Sequence, residues 1–238
     1  MKINPGKNLL KVQRRSTSVS LGTGAAEKGG GERTVRGEDY LALIYRLSEA
    51  GVEARLSVIA EELGVSAPAA AKALARLREC GYVERRGLSY RLTERGLRVA
   101  ERIVRNHRVV ERLLTDVLGA DPREAHELAH ALEHVDGLAE LADRYLGMPD
   151  RCPHGNPIPA RGARRGLPLS RAGRGVYRVA GLGELKRVLE WAGRVGLSVG
   201  TSVEVGGVEG DHLLVRVGSG WARLPMGIAS LVYVERVG

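Results

Sequence analysis

The sequence predicts a chain built in two styles, a mainly α-helical N-terminal half and a small all-β barrel at the C-terminus. Three observations lead there. Between residues 38 and 146 apolar side chains recur at steps of three and four, and Ser66, Thr93 and Asp121-Pro122 stand where helix N-caps and first turns belong. From about 169 short apolar runs follow at 176–180, 203–208, 213–217, 222–224 and 231–236, separated by glycine-rich turns, with one helical stretch at 184–194. Residues 151–168 lie between, rich in Pro, Gly and Arg and without periodicity, which reads as a linker.

A length of 238 residues suits two small domains. Hydrophobic residues at 43% and charged residues at 27% are ordinary for a globular chain. No apolar run approaches the roughly 20 residues that span a bilayer, so no membrane partner is expected. Cys80 and Cys152 are too few for a disulfide framework, and a reducing cytoplasm is the expected compartment. The net charge of +9 is unevenly spread. Residues 1–36 carry eight Lys/Arg against two Asp/Glu, residues 72–108 eleven against four, and residues 109–150 three against ten. A basic block followed by an acidic one suits an anionic partner at one end and cations at the other.

In chain order, residues 1–36 read as a disordered basic tail, ending near Gly29-Gly30-Gly31. A first helix begins near Glu38, with Leu41, Ile44, Tyr45 and Ser48 at helical spacing and Gly51 past its end. A short helix over 56–63, the turn Gly64-Val65-Ser66 and a helix over 67–80 make a helix-turn-helix. Segments 82–86 and 88–92 then form a hairpin around Gly87 tipped by Arg85 and Arg86, which completes a winged helix over 37–93. Such a module places a helix carrying Lys72 and Arg76 in the major groove of double-stranded DNA, with Arg85 and Arg86 at phosphates. The reading edge, Ser66 and Pro68 through Lys72, is poor in hydrogen-bonding groups, so thymine methyl contacts and DNA shape carry more of the recognition. A winged helix used for protein contacts is the alternative, and the surrounding positive charge argues for DNA.

A long helix capped by Thr93 and running to about 118 should turn Leu97, Ala100, Val104, His107, Glu111, Leu114 and Leu118 inward. His107 and Glu111 thus stand at positions that call for apolar residues, where they need partners. They either satisfy each other or share a cation. The next helix holds three of the six histidines within nine residues, 126–134. At about 100° per residue, His126, His130, Glu133 and His134 share one arc, beside an apolar stripe of Ala125, Leu128, Ala129 and Leu132. A last helical segment over 136–146 groups Leu138, Leu141 and Tyr145. These helices, 94–150, read as a metal-binding unit. His130, Glu133 and His134, with Asp39 as a fourth arm, make one candidate site, and His107, Glu111 and His126 a second. Imidazole–carboxylate sites of this kind suit Mn2+ or Fe2+ and accept Zn2+, Co2+ or Ni2+. His126-Glu127-x-x-His130 also matches the zinc-peptidase signature, but it lacks the extended continuation and a substrate-binding sheet. Cys152 and His154 form a Cys-x-His pair without a second pair, and read as loop residues.

The order of winged helix, Arg105-Asn106-His107-Arg108…Glu111, His126…His130-x-x-Glu133-His134 and Arg151-Cys152-Pro153-His154-Gly155-Asn156-Pro157-Ile158-Pro159 resembles the diphtheria toxin repressor / manganese transport regulator family over about 37–159. The segment 169–238 is similar to the SH3-like domain that many members share with ferrous iron transport protein A. The resemblance implies a homodimeric, divalent-metal-dependent transcriptional repressor of metal-uptake genes, acting on a palindromic operator rather than as an enzyme. It assigns Asp39, His130, Glu133 and His134 to a primary site and His107, Glu111 and His126 to an ancillary one. It also marks departures. His130 stands where iron-responsive members carry cysteine and manganese-responsive ones glutamate. Asp39 replaces a methionine of the iron-responsive members, and Ala42 a second carboxylate of the manganese-responsive ones, so Mn2+ and Fe2+ both stay open. A metal-independent winged-helix regulator is the remaining alternative.

Overall fold

The computed structural model describes residues 35–237, and the expected basic tail lies outside them apart from Val35 and Arg36. Helix α1 (Gly37–Glu49) buries Leu41, Leu43, Ile44 and Leu47, and its Ala42 packs on Ile103 and Val104 of the long helix α4 (Glu94–Asp116). Helices α2 (Leu56–Leu63) and α3 (Ala67–Glu79) form the helix-turn-helix. Gly64 at φ 67° closes α2, and the Ser66 hydroxyl accepts the Ala69 N–H at 3.3 Å to start α3. Strands β1 (Val83–Arg86) and β2 (Ser89–Leu92) pair antiparallel as the wing. Ser66, Pro68, Lys72, Arg76, Arg85 and Arg86 are all exposed.

Thr93 caps α4 by accepting the Gly96 N–H at 3.1 Å. Asp121 caps α5 (Pro122–Leu132), and Gly137 at φ 79° leads into α6 (Leu138–Tyr145). Val110, Leu114, Ala125, Ala129, Ala139, Ala142 and Ile158 form the core these helices share. Three expected placements change here. Leu97 and Leu118 are exposed at the ends of the α4 stripe, where the helix outruns the elements packed on it. Helix α6 docks through its small residues Ala139 and Ala142, with Asp143 held by Arg105 and Arg161, so Leu141 and Tyr145 face outward. The segment expected as a linker is also packed, with Cys152, His154, Asn156 and Ile158 buried.

The C-terminal unit is a six-stranded antiparallel sheet in the order β3-β8-β4-β5-β6-β7, formed by β3 (Leu167–Pro168), β4 (Gly175–Leu182), β5 (Ser202–Glu209), β6 (His212–Val217), β7 (Gly220–Pro225) and β8 (Val232–Arg236). Register shifts at Val179/Gly181 and Val205/Gly207 bend it, as bulges do. The helix expected at 184–194 is present as α7 (Lys186–Val195), which buries Val188, Trp191 and Ala192. The sheet is not closed into a barrel, since no pairing joins β3 and β7 among the described residues. The short helix α8 (Met226–Ala229) contacts β6, β7 and the turn Leu169–Arg171 instead.

Candidate metal centre

Asp39 lies in the first turn of α1, and its two oxygens have separate duties. Oδ2 accepts the Arg36 N–H at 2.8 Å and caps the helix, while Oδ1 meets His134 Nε2 at 2.9 Å. His134 follows the end of α5, with Glu133 as the C-cap residue, so the helix ends two residues short of the expected 134 and both side chains project from its C-terminus. Asp39, Glu133 and His134 bring ligand atoms within 4.8 Å of one another. His134 Nδ1 also lies 3.2 Å from Glu38 Oε2, so α1 presents two carboxylates to one imidazole. Burial disfavours the imidazolium, but the hydrogen bonds it donates to Asp39 and Glu38 override it and raise His134 to about 9.

The second expected set is more crowded. Glu111 Oε1 is 2.7 Å from His126 Nδ1 and 3.1 Å from His107 Nε2, and those two nitrogens are 3.0 Å apart. His107 Nδ1 sits 2.6 Å from Glu133 Oε2, so His107 stands between the two sets. The ring arrangement follows Glu–His–ligand logic, in which a carboxylate on one nitrogen orients the other. Burial opposes ionisation of Glu111, yet His107 and His154 hold its carboxyl well below the usual range. Glu133 is likewise held low against burial, by hydrogen bonds from His107 and His130. Burial pushes His130 and His126 down.

His130 belongs by distance to both sets. Its Nδ1 is 3.7 Å from Glu133 Oε1, and its ring lies 4.6 Å from His107 and 4.8 Å from His126, centroid to centroid. The grouping expected from sequence put it with Asp39, Glu133 and His134 alone. Glu127 is exposed and faces Arg123 Nε at 3.7 Å, away from the imidazoles, so a water-activating role beside His126 and His130 has no geometry here.

Sequence reasoning missed two residues. His154 is buried, and its Nδ1 lies 3.3 Å from Glu111 Oε1. Glu184, just ahead of α7, is buried against Arg108, Arg46 and Cys152. The C-terminal unit, silent as chemistry in the sequence, therefore reaches the centre. The Cys152 thiol is pushed well up by burial and by the Glu184 carboxylate, and it donates to Glu184 Oε1 at 3.1 Å. Glu111, Cys152, His154 and Glu184 bring ligand atoms within 4.8 Å of one another, as do His107, His126 and His130, so a buried thiol lies among the oxygen and imidazole donors. Glu111 Oε2, Glu133 Oε1 and His154 Nδ1 are buried without a hydrogen-bond partner among the described residues. Unsatisfied buried acceptors of this kind fit a divalent cation.

Residues 33–88 match the iron dependent repressor N-terminal DNA binding domain, and residues 93–160 the iron dependent repressor metal binding and dimerisation domain. The diphtheria toxin repressor of Corynebacterium glutamicum is 31% identical over 219 residues, covering 84% of this chain and 96% of that protein. The diphtheria toxin repressor of Corynebacterium diphtheriae is 38% identical over 125 residues, and the match spans 51% of this chain and 55% of that protein. Among solved structures, the manganese regulator SloR superposes with a TM-score of 0.75 at 28% identity, over 86% of this chain and 100% of that one. A manganese-dependent transcriptional repressor in complex with manganese gives 0.70 at 29% identity, over 85% and 100%. With DNA-binding and metal-binding units both matched in order, and one relative aligned almost end to end, the chain belongs to the iron-dependent repressor family of metal-dependent DNA-binding regulators.

Proposed function

We propose that this chain represses metal-uptake genes in the cytoplasm as a homodimer on a palindromic operator, with Asp39, His130, Glu133 and His134 as the activating Mn2+ or Fe2+ site. One observation carries the reading. The candidate ligands are split, Asp39 on the first helix of the winged unit and the others on α5 and its C-terminal turn. A bound divalent cation supplies positive charge and one coordination sphere shared by these oxygens and nitrogens. Asp39 is suited to report it, because the same carboxylate caps α1 through Oδ2, and α1 packs on α2, α3 and α4. The orientation of α3 is thereby tied to the state of the α5 terminus. A palindromic site presents half-sites about 34–36 Å apart, so a winged unit held in one orientation binds better than a loose one. The coupling is reciprocal, and DNA in turn tightens metal binding.

Leu128, Leu141 and Tyr145 leave apolar surface on α5 and α6, a face suited to a second copy of the chain. On a palindromic duplex, Mn2+ or Fe2+ should tighten binding about 5–150-fold over chelator, the usual span of an allosteric coupling. A fluorescence-anisotropy titration checks it, and indifference to chelation would sink the proposal. The exposed Arg85 and Arg86 flank the wing turn, Arg85 Nε donating to Gly87 O at 3.0 Å. Alanine at both should weaken binding to any sequence alike and flatten the log–log salt slope by about 1 for each phosphate no longer neutralised. A slope unchanged by the double substitution would take the wing off the DNA.

A further inference from the structure

We propose that Arg46 sets the metal threshold of the first site, its guanidinium acting through Glu133 as a fixed positive charge that stabilises the empty site and opposes the filled one. The inference rests on the metal-regulator reading and deepens it. Arg46 lies in the last turn of α1 and is 7% exposed. Its Nη2 is 3.9 Å from Glu133 Oε2, and its Nε is 3.3 Å from Glu184 Oε2. Neither nitrogen makes a hydrogen bond to any described residue. Both carboxylate oxygens have closer partners. Glu133 Oε2 meets His107 Nδ1 at 2.6 Å, and Glu184 Oε2 accepts from Arg108 Nη2 at 2.9 Å. A guanidinium that pins elements together uses its donors in aligned pairs, as Arg108 does through Nε and Nη2 on the two oxygens of Glu184. Arg46 instead supplies charge with idle donors, which are destabilising in themselves when buried.

Charge is what this site responds to. Asp39 and Glu133 are both buried, and with His134 they bring ligand atoms within 4.8 Å of one another. Without a cation, two carboxylates gathered in a dry interior repel each other, and the guanidinium beside Glu133 offsets that repulsion. With a dication in place the carboxylates are neutralised, and the same guanidinium faces a centre of its own sign. Both effects act in one direction, towards weaker metal binding. At an effective interior dielectric of about 20, a unit charge at this range changes the affinity for a dication by about tenfold or more. Asp39 and Arg46 are seven residues apart, so α1 carries a ligand and the opposing charge on one face. Glu184 gives the guanidinium an anion that a cation at the first site does not remove, which keeps the charge where it is.

The test uses full-length protein, with Mn2+ as the probe in calorimetric titrations and in DNA binding at graded Mn2+. Arg46→Met removes the charge and keeps most of the bulk. Expected is Mn2+ binding at the first site tightened by at least about tenfold, with half-maximal DNA binding reached at correspondingly lower Mn2+. A merely structural role would move affinity the other way. Arg46→Lys, which keeps the charge, should behave as the parent does. Weaker or unchanged Mn2+ binding in Arg46→Met, an unshifted Mn2+ requirement for DNA, or equal tightening in Arg46→Lys would each overturn the proposal. So would tightening that persists when His134→Ala disables the first site, because the charge would then act on the second. If Arg46→Met does not fold, Arg46→Gln, neutral and still able to donate towards Glu184, decides by the same titration. Failure of the first-site reading shows separately, as DNA binding by the unmodified protein that ignores chelation.

Discussion

Replacing Arg108 by alanine is expected to destabilise the protein by about 3–5 kcal/mol, the usual cost of leaving a buried carboxylate without its partner. Arg108 is 1% exposed and ties four parts of the chain together. Its Nη2 donates to Glu49 Oε2 of α1 at 2.6 Å and to Glu184 Oε2 at 2.9 Å, and its Nη1 donates to the Pro157 carbonyl. Burial works against its charge, but Glu184 and Glu49 raise it well above the ordinary arginine range. Without it, Glu184 keeps Arg46 Nε at 3.3 Å as its cationic partner among the described residues, with the neutral donors Cys152 Sγ and Asn156 Nδ2 at 3.1 and 3.2 Å. At about 2–4 °C per kcal/mol for a chain of this size, the loss should be plain in a thermal melt. Adding Glu184→Gln should recover part of it, because the second change removes the stranded charge. A single-mutant cost under about 1 kcal/mol would mean that Glu184 is hydrated and the sheet is not docked on α4.

Much of this was legible from spacing alone. Helix α2 follows its apolar steps residue for residue, and the wing turns at Gly87 as the Arg-rich hairpin implied. His107 and Glu111 announced themselves as polar residues on an apolar stripe, and both are fully buried. What was not legible depended on long-range packing. Pro and Gly between 151 and 168 read as flexibility, yet Gly155 is required by contact with β4 and the prolines stiffen a strap. His154 therefore looked like a loop residue, although a histidine between two turn-forming positions in a rigid strap was the available signal. Glu184 carried no signal, since only its meeting with Arg108, 76 residues away, gives it meaning. The outward Leu141 and Tyr145 obey helical periodicity as a core face would, because periodicity marks an apolar face without saying which surface covers it. Closure of the barrel failed for a related reason: alternation identifies strands, and the placement of α8 beside β7 lies outside it.

Asp39→Asn is expected to abolish the metal-dependent gain in DNA affinity, about 5–150-fold, while keeping the cap of α1. The two oxygens of Asp39 make this separation available. An amide oxygen in the place of Oδ2 still accepts the Arg36 N–H and caps α1, whereas the group facing His134 Nε2 loses its charge and becomes an NH2 that is no ligand. Asp39→Ala removes the cap as well and should add about 1 kcal/mol of destabilisation, the typical worth of such a cap. Comparing the two variants in DNA titrations with and without Mn2+, alongside thermal melts, separates loss of the ligand from loss of the helix start. His134→Ala should share the functional phenotype of Asp39→Asn, because His134 is the residue on the α5 side that Asp39 meets. If Asp39→Asn retains the full metal response, the link between α1 and α5 does not run through this carboxylate. Glu38, whose Oε2 faces His134 Nδ1 at 3.2 Å and whose carboxyl is held below its ordinary value by that hydrogen bond, would then be the α1 group that carries it.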